Sequence, residues 1–269
     1  MLEDVQAGPD VRGIELDAVG VSGVRRPIVV WDRSLAKQQT VADIAISVHL
    51  RHDVKGGHLS RFMEALDAHG EELTVATMPV LLNDVRQRLD TRSARIEVRF
   101  PYFRSRSAPV TGATGLIDYD CHFVAEDDEG QFGFTLAVAV PVTSLCPCSR
   151  AISDYGAHNQ RGRITMRVRP VRIGDELSVI WIEELGDLAE SCASSPLYPV
   201  LKRADERYVT MAAYDKPVFV EDMVRDVAVG LQGDARVMWF EVEALNDESI
   251  HNHGAFARVT WQRTAAGRA

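Results

Sequence analysis

Seven stretches of this chain alternate apolar with polar side chains or string β-branched and aromatic residues together, and this patterning limits the fold more than any other feature. They are VADIAISVHL (41–50), ARIEVRFPYF (94–103), GLIDYDCHFVAE (115–126), QFGFTLAVAVPVTSL (131–145), GRITMRVRPVR (162–172), ARVMWFEVEAL (235–245) and GAFARVTWQR (254–263). A period of two sends successive side chains to opposite faces, so each stretch reads as a strand. In the fifth, Ile164, Met166 and Val168 alternate with Thr165 and Arg167. EDDEG (126–130) reads as a hairpin turn between the third and fourth. Elsewhere the period lengthens. HLSRFMEALDAHG (58–70) repeats at Leu59, Phe62, Met63 and Leu66 and stops at Gly70, and TVATMPVLLNDVRQRLD (74–90) becomes helical from Pro79. DELSVIWIEELGDLAESC (175–192) reads as a helix with an acidic start, and VEDMVRDVAVGLQGD (220–234) as one ending at Gly230 or Gly233. Strand, two helices, then strands occurs twice. The order predicts an α+β chain built by duplication, with antiparallel sheet and helices packed on one face.

Charge and composition narrow the function. The 269 residues carry a formal charge of −9, which argues against nucleic acid as a partner because phosphate backbones reward basic surfaces. A local cluster of arginines in an acidic chain suits a small phosphorylated ligand. No apolar run approaches the ~20 residues of a membrane span. MLEDVQAGPDVRG lacks a secretory pattern and reads as a disordered or loosely docked tail. The four cysteines, at 121, 146, 148 and 192, have no framework spacing, which fits a reducing cytoplasm. Cys121 and Cys192 read as small packing residues.

Cys146 and Cys148 differ in their company. VTSLCPCSRAISDYGAHNQR (142–161) places two thiols around a proline where a strand runs out, with His158 after a bend that Gly156 permits. A disulfide between the two would close a very small, strained ring. Metal binding or thiol chemistry is the more natural use, since thiolate and neutral imidazole suit zinc or iron. C-x-C-x9-H is not a standard structural zinc pattern. Downstream, NDESIHNHGAF (246–256) projects His251 and His253 to one side with Glu248 nearby. That group reads either as the completion of a metal site or a general acid and base, or as a polar hairpin tip.

GGHLSRF (56–62), VPVTSLCPCSRAISDYGAHNQR (140–161), LYPVLKRADERYVT (197–210), FVEDMVRDV (219–227) and ESIHNHGAFA (248–257) together resemble the type IB GTP cyclohydrolases of the tunnelling-fold superfamily. The resemblance implies tandem tunnelling-fold modules over 39–148 and 149–269, behind a tail and lead-in over 1–38. It implies a barrel-forming homotetramer with sites at subunit interfaces. The implied reaction turns GTP and water into 7,8-dihydroneopterin triphosphate and formate, the entry to tetrahydrofolate. The implied cofactor is one divalent transition metal (zinc, iron or manganese), held by Cys146 and His158 with Cys148, His251 and His253 as further ligands. Glu248 and the histidines would move protons. Arg61, Arg150, Arg161, Lys202 and Arg203 would meet the triphosphate. Relatives of that family carry glutamate at the positions of Pro196 and Met211, so Glu206, Glu221 or Glu243 would replace a lost carboxylate, or the substrate differs. Two other classes stay open: a thiol-dependent NADPH nitrile reductase, and a ligand-binding homologue without cyclohydrolase activity.

Overall fold

A computed structural model describes residues 6, 8–34, 36–174 and 176–264. In chain order the elements are β1 (Leu16–Trp31), β2 (Lys37–Leu50), α1 (Leu59–His69), α2 (Met78–Leu89), β3 (Ser93–Ser107), β4 (Thr114–Asp128), β5 (Gln131–Leu145), α3 (Pro147–Ile152), β6 (Asn159–Pro170), β7 (Arg172–Ile173), β8 (Glu176–Leu177), α4 (Ile182–Cys192), β9 (Ser195–Pro196), α5 (Arg203–Asp215), α6 (Val220–Gly233), β10 (Val237–Asn246) and β11 (Ala255–Gln262). The contacts gather into two units, one of residues 1–100 with 122–135 and one of 101–121 with 136–269.

In the first unit β1 pairs with β2 and β2 with β3, both antiparallel. Alternation decides the burial: Ala42, Ile44, Ile46 and Val48 of β2 are buried, as are Ala94, Ile96 and Val98 of β3. The buried sides of α1 (Phe62, Ala65, Leu66) and α2 (Met78, Leu81, Leu82, Val85) complete that core. Burial of each large aliphatic side chain contributes about 1.5–3 kcal/mol. Pro79 lies in the first turn of α2, as its sequence predicts, where a missing N–H costs nothing.

In the second unit β5–β6, β6–β10 and β10–β11 pair antiparallel. Val138, Val140 and Val142 face the same core as Ile164, Met166 and Val168, beneath the apolar sides of α4 and α6. The expected antiparallel sheet with helices on one face is what forms.

Four local expectations change. The helix read over 175–192 starts at Ile182; Glu176–Leu177 pairs with Arg172–Ile173 instead, and Asp175 is outside the described residues. The β-branched and aromatic run SVIW resists helix, while Glu183 and Glu184 supply the acidic first turn one step later. The 1–38 lead-in contains β1, whose alternation is broken by register shifts between Leu16 and Val19 and between Val21 and Val24. Within the N-terminal tail, Met1–Val5 and Ala7 lie outside the described residues, whereas Asp10 N–H donates to Asp53 O (3.1 Å) and Gly56 N–H to Gln6 O (3.2 Å). In EDDEG only Glu129 and Gly130 turn, with φ of 50° and 88°.

A ladder of polar contacts fixes α4 on β3. Inward residues of β3 recur every second position and one face of α4 every third or fourth, so Tyr102, Arg104 and Arg106 meet Glu183, Asp187 and Glu190 in turn. Tyr102 donates to Glu183 (2.6 Å), Arg104 pairs with Asp187 (2.8 Å), and Arg106 pairs with Glu190. Tyr119 of β4 also donates to Glu190 (2.7 Å). Burial, then the Glu190 charge, pushes the Tyr119 hydroxyl up to about 12.

Because that value is raised, the Tyr119 contribution to stability is complete below the ordinary tyrosine pKa of about 10 and is lost as pH rises through about 12. Urea unfolding between pH 9 and 12 is therefore expected to show an alkaline loss that Tyr119→Phe weakens. At pH 7.5, Glu190→Ala leaves the half-buried Arg106 and the buried Tyr119 hydroxyl without their carboxylate and lowers stability by about 3 kcal/mol.

Candidate active site

The β5–β6 ladder ends with Ser144 opposite Gln160 and Leu145 opposite Asn159. One step further the Cys146 N–H donates to His158 O at 3.1 Å, so these two residues face each other across the closing strands. Cys146 is extended (φ −68°, ψ 118°) and starts α3, with Pro147 at its first turn. Ser149 sews the corner together: its N–H donates to Cys146 Sγ (3.4 Å), and its Oγ accepts from His158 N–H (3.2 Å). Gly156 takes φ +151°, supplying the bend expected before His158.

The end of β5 is clasped from several sides. Ser194 Oγ accepts from Leu145 N–H (2.9 Å), Leu145 O accepts from Val218 N–H (3.1 Å), and Ser144 Oγ donates to Val218 O (2.9 Å). β9 pairs through Ser195 and Pro196 with Thr143 and Val142. Asn246 Nδ2 donates to Ser144 Oγ (3.0 Å), and a Cβ on Gly162 would lie 2.3 Å from Asn246 Oδ1, so only glycine fits opposite it. Cys146 thus leaves a rigid strand end.

Behind His158 lies Gln160, which is buried. Its Oε1 is 2.7 Å from His158 Nδ1, and its Nε2 is 3.4 Å from Glu248 Oε1. Glu248 opens the ESIHNH turn; its carbonyl accepts from His251 N–H (3.2 Å). The exposed rings of His251 and His253 stack with centroids 5.1 Å apart and planes 17° apart, on one side as the sequence predicts. Asp247 N–H donates to Arg161 O (2.9 Å), placing the exposed Arg161 beside this turn. Arg150 of α3 lies over the Tyr214 ring of α5, 4.6 Å from its centroid.

Cys148 is exposed beside Cys146. Among the described residues no three His, Cys, Asp or Glu side chains of one chain gather closely enough to hold a metal ion. Cys121 and Cys192 are the packing residues expected, both buried, and burial pushes both thiols up.

Lys202 and Arg203 start α5, where two cations oppose the helix dipole. Asp205 offsets them. Its buried carboxylate accepts from the N–H groups of Val110, Thr111 and Lys202 (2.9 Å each) and from Thr111 Oγ1 (2.7 Å). Burial alone would raise its pKa; these bonds outweigh burial and hold the carboxyl below the usual carboxylate range. Arg61 belongs to the first unit, where it donates to Arg88 O (2.7 Å) near the end of α2.

Pro196 engages β5 through the backbone of β9, and Met211 is half-exposed on α5 one turn before Tyr214. Of the carboxylates weighed as replacements, Glu206 and Glu221 are exposed and Glu243 lies on β10 between Val242 and Ala244, on the face away from the core. The carboxylate that does reach His158, through Gln160, is Glu248. Sequence reading passed over Gln160, Ser149 and Asp205. An aspartate three residues after Lys202, at the helix start, is the capping signal that could have flagged the last.

A family model described as type I GTP cyclohydrolase folE2 matches residues 2–257. Proteins named GTP cyclohydrolase FolE2 are similar over almost the whole chain. That of Magnetococcus marinus is 49% identical (96% of this chain, 95% of the relative), and that of Geobacter sulfurreducens is 46% identical (98% and 100%). Among solved structures, uricase from Arthrobacter globiformis superposes with a TM-score of 0.52 at 11% identity (94% and 95% covered). Urate oxidase from Bacillus subtilis gives 0.55 at 9% identity (91% and 98%). At those identities the likeness is one of fold alone.

The depressed Asp205 value generates a pH dependence. Its stabilisation is present above the ordinary carboxylate pKa of about 3.9 and is lost as pH falls toward the lower folded value. Urea midpoints measured from pH 6 to pH 3 are expected to fall less steeply in Asp205→Asn than in the wild type. Equal slopes would remove Asp205 as the clamp of this segment.

Proposed function

The chain belongs to the type I GTP cyclohydrolase FolE2 family and is a GTP cyclohydrolase; we infer that the corner of Cys146 and His158 is where GTP and water become 7,8-dihydroneopterin triphosphate and formate. FolE2, within type I, is the family name that stands in place of the type IB label the sequence resemblance suggested. The observation that carries the assignment of the corner is the backbone bond joining Cys146 to His158 at a clasped strand end.

The residues there fit a divalent transition metal. Cys146 offers a soft sulfur with a single N–H donor on it, and His158 keeps one ring nitrogen free because Nδ1 is engaged by Gln160. When bound, zinc, iron or manganese would supply water acidified toward a pKa of ~7 and so hydroxide at neutral pH. Cys148, His251 and His253 are the further candidate ligands, although within one chain no three such side chains of the described residues gather on one point. We propose that the site is completed at a subunit interface, in a homotetramer of tandem tunnelling-fold modules (39–148 and 149–269), since Cys146 and His158 are joined through their backbones and no third ligand of the described residues gathers with them. The urate oxidase likeness supports that fold.

Opening the imidazole ring of guanine needs a proton delivered to the departing ring nitrogen and another removed later. We assign these transfers to Glu248 through its carboxyl and to His251 and His253 through their ring nitrogens. The triphosphate is assigned to the cations. Lys202 and Arg203 cluster at the start of α5; Arg150 and Arg161 flank Cys146 and Glu248, and Arg61 is the fifth candidate. The product feeds tetrahydrofolate synthesis in the cytoplasm. Among the described residues no helix is long and apolar enough to cross a membrane.

Cys146→Ala and His158→Ala are each expected to fold normally by circular dichroism and to lose metal. Both should release formate, and neopterin fluorescence after oxidation and phosphatase treatment, at least ~10³-fold more slowly, or about 4 kcal/mol. Wild-type turnover by Cys146→Ala rejects the assignment. Light scattering is expected to give four times the 29.8 kDa chain mass.

A further inference from the structure

Gln160 neither moves a proton nor meets the triphosphate, yet it is among the buried polar side chains, with 7% of its surface exposed. Buried amides are retained where both ends are used. Here one end faces an imidazole and the other a carboxylate.

The carboxylate decides which end is which. Glu248 only accepts, so the atom 3.4 Å from its Oε1 is the Gln160 NH2, and Oε1 of the amide is the atom turned to His158. An amide oxygen also only accepts. His158 Nδ1, at 2.7 Å, therefore carries the ring proton and donates it, and Nε2 is left as the atom with the lone pair. This is the tautomer that histidine disfavours in water. Strand geometry holds the arrangement: residues 158, 160 and 162 share one face, Gln160 is locked opposite Ser144, and Gly162 leaves room for Asn246.

We propose that Gln160 is a positioning residue: anchored by Glu248, it fixes His158 in the Nδ1–H tautomer and presents Nε2 to its ligand. The lock itself is a property of the chain alone. That its ligand is a metal rests on the reading of the corner given above. One consequence is that the ESIHNH turn and the Cys146–His158 corner are joined by a chain of directed hydrogen bonds, so Glu248 acts on His158 without touching it.

Three variants separate the lock from packing. Gln160→Met keeps the volume and removes the acceptor. The exchanged pair Gln160→Glu with Glu248→Gln keeps an acceptor on Nδ1, while the bond between positions 160 and 248 reverses, the amide now at 248 donating to the carboxylate now at 160. His158→Ala identifies the His158 signals among the eight histidines. Solid-state 15N NMR of histidine-labelled, metal-free, full-length protein at pH 8.5 reads the tautomer, and competition with a chromophoric chelator reads Zn²⁺ affinity.

The expected result is a protonated Nδ1 in wild type, a shift to Nε2–H in Gln160→Met, and restoration in the exchanged pair. Zn²⁺ affinity should fall about 10–100-fold in Gln160→Met and recover in the exchanged pair. A His158 tautomer unchanged by Gln160→Met overturns the proposal, and so does a wild type protonated on Nε2. If Gln160→Met fails to fold, the exchanged pair alone decides, since a loss of the Nδ1–H tautomer there contradicts the hydrogen-bond direction. A tautomer that follows Gln160 while Zn²⁺ affinity does not move supports the lock and removes His158 from the metal site.

Discussion

The register of β5 on β6 is the constraint on which the candidate site depends. Cys146 and His158 are twelve residues apart in a segment that turns through α3 and Gly156, and nothing in that segment brings them together by itself. They meet because the ladder runs from Leu136–Val168 to Leu145–Asn159 without a bulge and continues for one more hydrogen bond. Slipping the pairing by one residue would send His158 and Gln160 to the opposite face and expose Ile164, Met166 and Val168. The apolar cost of that slip protects the chemical geometry. Core packing and site construction are here one act.

Polar groups do the second part of the work, where apolar packing is indifferent to small shifts. An apolar helix can slide on a sheet with little penalty, but Arg104 and Arg106 accept only the spacing at which Asp187 and Glu190 stand opposite. Asp205 does the same for a turn and a helix start, gathering four donors from Val110, Thr111 and Lys202 at one carboxylate. Gln160 does it at the corner itself. Each buried polar side chain is costly unless fully used, and this requirement makes each geometry single-valued.

Much of this was legible in the chain as written. QFGFTLAVAVPVTSL gives β5 from its first residue to its last, because alternation over fifteen residues admits no other period. α1, with Gly70 closing it, was equally plain. Cys146 and His158 stand out by residue type alone. Less was legible where local signals conflict. SVIW before Ile182 carries both helical spacing and β-branched bulk, and the pairing of β7 with β8 settled it. β1 hid behind its register shifts, and α5 behind a start occupied by Lys202 and Arg203, whose capping signal, Asp205, stands three residues on.

The sequence by itself determined the elements, the faces they bury and the chemical types available: thiol, imidazole, carboxylate and guanidinium. Those are properties of single residues and of periodicity, which need no partner to exist. Only the tertiary structure decided that Glu248, eighty-eight positions from Gln160, would be its hydrogen-bond partner. Direction and distance between residues far apart in the chain arise from strand pairing and from which donors find acceptors once water is gone, and no local pattern encodes them.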